Sequence, residues 1–99
     1  MITIILENKD NQIVAKCGKT GNELYLIRNE SEFPKLSLLS EIDYDVLAEL
    51  DMPELIDELE ALRPRVSKEN QFHIDEIIKL AIRCRDEDEL TLIFTPFGQ

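Results

Sequence analysis

The chain has 99 residues with 11 Lys+Arg against 21 Asp+Glu, a net charge of −10, and 43% apolar residues. That length supports one domain with one core, and an apolar content near the globular average excludes disorder. The negative charge disfavours nucleic-acid backbones and anionic lipid and favours a basic protein as partner.

The chain begins Met1-Ile-Thr-Ile-Ile-Leu-Glu7. It lacks a basic region ahead of its short apolar run, and no stretch approaches the roughly 18 apolar residues of a membrane span, so a cytoplasmic protein is expected. Ile2 to Glu7 is β-branched and stops at the turn-forming Asn8-Lys-Asp-Asn11. Gln12 to Cys17 resumes the strand pattern, and Glu23 to Arg28 alternates two faces after Gly18-Lys-Thr-Gly21. These three runs predict an antiparallel meander. The glycine pair superficially suggests a phosphate loop, but the first glycine of that motif falls on Ile13, so a hairpin turn is expected.

Residues 29–40 predict a loop anchored by Phe33, Leu36, Leu38 and Leu39, with Pro34 blocking regular structure. Asp45 to Leu50 alternates like a fourth strand, although Leu-Ala-Glu-Leu is also good helix material. Asp51-Met-Pro-Glu54 is a helix-start signal, in which Asp51 accepts from free N–H groups and Pro53 suits the first turn. Met52, Leu55, Ile56, Leu59 and Leu62 then share one face of about 120°, and Pro64 ends the helix. A second helix is predicted from Ser67-Lys-Glu-Asn70. Its arc of Ile74, Ile77, Ile78, Leu80, Ala81, Ile82 and Cys84 is wider, so it is expected to be the more deeply buried of the two. Asp86-Glu-Asp-Glu89 lacks the glycine and spacing of a calcium loop and reads as a solvated connector. Leu90 to Thr95 is apolar on both faces, which places it between other strands. The expected fold class is α+β, an antiparallel sheet of four or five strands with two helices on one face, in a single domain spanning residues 1–99.

Between Leu36 and Leu62 stand nine acids and no Lys or Arg. On the first helix Glu54, Asp57, Glu58 and Glu60 fall opposite the apolar arc, and Glu54 and Glu58 are like charges one turn apart, which costs a few tenths of a kcal/mol. Stability alone would mix signs. With Asp43, Asp45 and Glu49 just upstream, this patterning marks a candidate partner-binding face. Tyr44, flanked by Asp43 and Asp45, suits recognition of Arg or Lys through stacking plus charge. The candidate binding residues are therefore Asp43, Tyr44, Asp45, Glu49, Glu54, Asp57 and Glu58.

Catalytic chemistry finds no motif. His73 is the single histidine, and a thiol mechanism would need it beside Cys17 or Cys84, neither of which has an activating sequence context; a structural or rim histidine is expected. The cysteines read as two reduced thiols, and a disulfide between them would require their elements to pack together. No cofactor or metal ligand set is expected.

Leu39-Ser-Glu-Ile-Asp43, Met52-Pro-Glu-Leu-Ile-Asp-Glu-Leu-Glu-Ala-Leu62, Ile77-Ile-Lys-Leu-Ala-Ile-Arg-Cys84 and the final apolar strand resemble a family of small uncharacterised bacterial proteins. Relatives of that pattern carry a longer segment before the first helix than Ile42-Asp-Tyr-Asp-Val46. In size, charge and layout the chain is similar to immunity proteins of polymorphic toxin systems. That resemblance implies a non-catalytic protein covering the basic active-site surface of a nuclease-like toxin. A mimic of nucleic acid, an adaptor whose acidity serves solubility, and an enzyme are the alternatives, the last with the least support.

Overall fold

The computed structural model describes residues 2–19, 32–38 and 45–95. Strands β1 (Ile2–Glu7), β2 (Ile13–Lys19), β3 (Asp45–Leu47) and β4 (Thr91–Thr95) form one antiparallel sheet in the order β2-β1-β4-β3. Helix α1 spans Met52–Leu62 and α2 spans Lys68–Asp86. The fold is the expected small α+β arrangement, with β4 between β1 and β3 as its two apolar faces require. The third strand of the expected meander, Glu23 to Arg28, lies outside the described residues.

The β1–β2 turn follows from Asn8 and Asn11. The Asn8 side-chain oxygen accepts the N–H groups of Asp10 (2.9 Å) and Gln12 (3.0 Å), and Asn11 takes φ 61°, a left-handed conformation that asparagine tolerates. Register then puts Ile4 opposite Cys17 on one side and Phe94 on the other, and Leu6 opposite Leu92. Ile4, Leu6, Cys17, Leu47, Leu92 and Phe94 share the face that meets the helices. Thr3, Ile5, Ile93 and Thr95 alternate onto the other face and are also buried.

The expected fourth strand is shorter than the pattern suggests. It stops at Leu47, and residues Glu49–Asp51 form a 3-10 turn, because Asp51 Oδ2 accepts the Ala48 N–H at 3.0 Å and draws the chain out of the sheet. Asp51 thus organises the turn before the helix and makes no side-chain cap to α1 itself. Pro53 occupies the first turn of α1 as expected, but Pro64 does not stop the chain abruptly: it sits in a 3-10 turn, Arg63–Arg65, that continues from the helix. Ser67 Oγ accepts the Asn70 N–H at 3.4 Å and starts α2.

The relative depth of the helices differs from expectation. Helix α2 buries His73, Ile74, Ile77, Leu80, Ala81 and Cys84 along a narrow stripe, while Ile82 is 36% exposed and Ile78 only half-buried. The shorter α1 buries Met52, Leu55, Ile56, Glu58, Leu59 and Leu62, a larger share of its residues. The width of an apolar arc therefore overstated the burial of α2, which rests on the sheet along one line only.

Candidate functional site

The acidic face has a definite form on α1. Glu54, Asp57 and Glu60 are exposed at i, i+3 and i+6, so they stand in a row over about 9 Å of helix. Glu49 is exposed in the turn just before. Asp45 begins β3 and is half-buried, and Asp43 and Tyr44 lie outside the described residues.

Glu58 does not belong to this row. Its carboxylate turns inward, with the residue 6% exposed, and accepts the Lys35 N–H (3.0 and 2.9 Å to its two oxygens) and the Leu36 N–H (2.9 Å). It thereby satisfies the free donors at the start of the 3-10 turn Leu36–Leu38, and its negative charge is stabilised by the N–H groups aimed at it. This fixes the segment that buries Phe33 and Leu36, two of the expected loop anchors. Arg65 closes over it, 5.3 Å from the Phe33 ring centroid and paired with Glu32 at 2.6 Å.

The base missing from the acidic stretch arrives from outside it. Lys35 Nζ bonds Asp51 Oδ1 at 2.8 Å and lies 3.7 Å from Glu54. The Lys35 ammonium, then the Ala48 N–H, hold the Asp51 carboxyl below its usual range. Glu49, Asp57 and Glu60 form no ion pair among the described residues. Next to Glu49, Leu50 is 94% exposed, and Val46 on β3, the edge of the described sheet, is 53% exposed. Glu49, unpaired among the described residues, therefore adjoins an exposed apolar side chain just before α1.

A second constellation lies where β2 meets the first half of α2. Cys17 projects from β2 toward the helix, and His73 and Glu76, one turn apart on α2, face it. Cys17 Sγ is 3.4 Å from His73 Nδ1, and its thiol donates to Glu76 Oε2 at 3.2 Å. Cys17 and His73 are each 6% exposed, whereas Glu76 is exposed. Of the expected structural or rim histidine, the structure shows the structural form, buried and in contact with a cysteine.

Chemically this is not an activated nucleophile. Burial, then the hydrogen bond to Glu76 and its charge, push the Cys17 thiol up to about 12, so it remains protonated at neutral pH. Cys84 is also raised by burial, and its thiol donates to the Leu90 carbonyl at 3.4 Å. Both cysteines are free. His73, the α2 neighbour of Cys17, lies eleven positions from Cys84, about 16 Å along the helix, which rules out a disulfide.

No family model, curated protein or solved structure matches this chain. Among the described residues no helix is long and apolar enough to cross a membrane.

Proposed function

We propose that this chain is a non-catalytic binding protein that offers the outer face of α1 and the turn before it to a basic protein. In its most concrete form it is a cytoplasmic immunity protein that covers the basic active-site surface of a nuclease-like toxin. The observation that carries this reading is that Glu49, Asp57 and Glu60 form no ion pair among the described residues, with Leu50 next to Glu49 94% exposed. Carboxylates without local bases supply a field that speeds encounter with a positive partner, and an exposed leucine beside them supplies an apolar anchor that slows departure. Glu54, half neutralised by Lys35, sits at the margin of the face. Asp43, Tyr44 and Asp45 precede it in the chain and extend the proposed contact.

The test is affinity capture from the native host followed by association and dissociation kinetics. Asp57→Lys/Glu60→Lys is expected to lower the on-rate by about tenfold or more at low salt and to flatten its salt dependence. Leu50→Ala is expected to leave the on-rate and raise the off-rate. An acidic partner, or an on-rate indifferent to the double charge reversal, would reduce the acidic face to a solvated surface on an adaptor.

A further inference from the structure

We infer that Cys17, His73 and Glu76 form a three-ligand site for a borderline-soft divalent metal, Zn²⁺ above all, that ties β2 to α2. With Zn–S of about 2.3 Å and Zn–N and Zn–O of about 2.0–2.2 Å, a tetrahedral ion holds its ligand atoms about 3.4–3.6 Å apart. Cys17 Sγ already stands 3.4 Å from His73 Nδ1 and 3.2 Å from Glu76 Oε2, close to two edges of that tetrahedron. The three ligand atoms all lie within 4.8 Å of one another, and the third edge would close by adjustment of the exposed Glu76 side chain once the metal replaces the thiol proton it accepts.

The donor set selects the metal. One sulfur, one imidazole nitrogen and one carboxylate oxygen suit Zn²⁺ and its neighbours, whereas Mg²⁺ and Ca²⁺ demand oxygen alone. A thiolate and a carboxylate together cancel the charge of a divalent ion, leaving a neutral cluster that a half-buried position tolerates. On binding, the sulfur–metal bond forms as the sulfur–hydrogen bond breaks, and the thiol proton leaves to solvent. Solvent reaches the site on the Glu76 side, and a water completes the fourth position. Two of the ligands are rigidly placed: Cys17 is pinned by the β1–β2 ladder opposite Ile4, and His73 by its burial in the α2 stripe. None of the three belongs to the acidic face, so the inference stands independently of the partner-binding proposal.

Cobalt(II) is the probe, added to the reduced full-length chain with a non-thiol reductant. A thiolate-to-cobalt charge-transfer absorption in the near ultraviolet, with the intense visible bands of tetrahedral cobalt, is expected at one equivalent and is displaced by Zn²⁺. Zn²⁺ is also expected to raise the melting temperature of the wild type but not of Cys17→Ser, which loses the charge-transfer band. Glu76→Gln, at an exposed position that leaves folding intact, is expected to weaken cobalt binding by about tenfold or more. Absence of the charge-transfer band at saturating cobalt overturns the site, as does an equal Zn²⁺-induced rise in melting temperature for wild type and Cys17→Ser, which would assign the metal to surface carboxylates. If Cys17→Ser fails to fold, Glu76→Gln decides: unchanged cobalt affinity overturns the three-ligand set.

Discussion

Helices α1 and α2 are both amphipathic and both rich in charge, yet they handle charge differently. Helix α2 balances its acids locally: Asp75 pairs with Arg63 at 2.7 Å, and Arg83 and Arg85 pair with Glu87 and Asp86 at 2.9 and 2.7 Å. Helix α1 has no base of its own, and among the described residues a single lysine, Lys35, reaches its first turn. One helix is neutralised where it stands, and the other is left with a row of carboxylates facing water. Part of the net charge of −10 thus stands on the outer side of α1 with no base beside it among the described residues. The same helix also shows the two fates open to an acid: Asp57 stays in solvent, while its neighbour Glu58 becomes part of the interior.

The largest test of this contrast lies in the core that both helices share. Ile77 is fully buried in the α2 stripe, and Ile77→Ala is expected to cost about 2–5 kcal/mol in denaturant unfolding. A loss below about 1 kcal/mol would mean that α2 does not bear on the sheet as described. Next comes Glu58→Ala, which leaves the Lys35 and Leu36 N–H groups without their acceptor and is expected to cost about 1–3 kcal/mol by the same measurement. An unchanged unfolding midpoint would return Glu58 to the solvent row.

Asp51→Asn is expected to have a smaller effect, visible mainly in its pH dependence. The folded carboxyl titrates below its unfolded value because Lys35 and the Ala48 N–H favour its charged form. The stability it contributes is therefore present above the unfolded value of about 3.9 and is lost as pH falls through the folded one. Urea midpoints followed from neutral into acid should fall less steeply for the variant than for the wild type. Equal slopes would show that Lys35 does not neutralise this end of α1. The smallest effect is expected at Asp57→Lys, within about 0.5 kcal/mol of wild type and on the stabilising side, since it relieves like charges at i+3 spacing. The wild type should melt higher as NaCl rises toward physiological strength, where the screening length is about 8 Å, and Asp57→Lys should respond less. A flat salt response in the wild type would mean that the row is already compensated.

Local signals in the sequence located most elements well. Ile2 to Glu7 is bounded by a turn-forming asparagine, Met52-Pro53 and Ser67 mark helix starts, and Leu90 to Thr95 announces an inner strand by its double apolar face. The misreadings came from interactions between distant positions. The strand at Asp45 ended early because Asp51 bonds back to Ala48. The absence of bases near α1 held only along the chain, since Lys35 folds onto its first turn. Glu58 was assigned outward by residue type, although it falls about 40° from Leu62 around the helix, at the margin of the apolar arc. Cys17 and His73 are 56 positions apart, and no local pattern could unite them. The one legible trace of that cluster was the i, i+3 spacing of His73 and Glu76, together with a cysteine on the inward face of a strand.

The Glu58 carboxylate also couples two separate parts of the chain. It joins residues separated by 22 and 23 positions, and it does so by filling backbone donors that no nearby residue satisfies. The turn at Leu36 keeps its local bonds from Ser37 to Phe33 and Pro34, and gains the Glu58 acceptor only where α1 presents that side chain inward. Closing such a loop has an entropic cost that the Glu58 contacts help offset, so the stability of segment 32–38 is tied to that of α1. When the helix frays, this segment is expected to loosen with it, so a short 3-10 turn shares the cooperativity of its neighbour through one buried carboxylate.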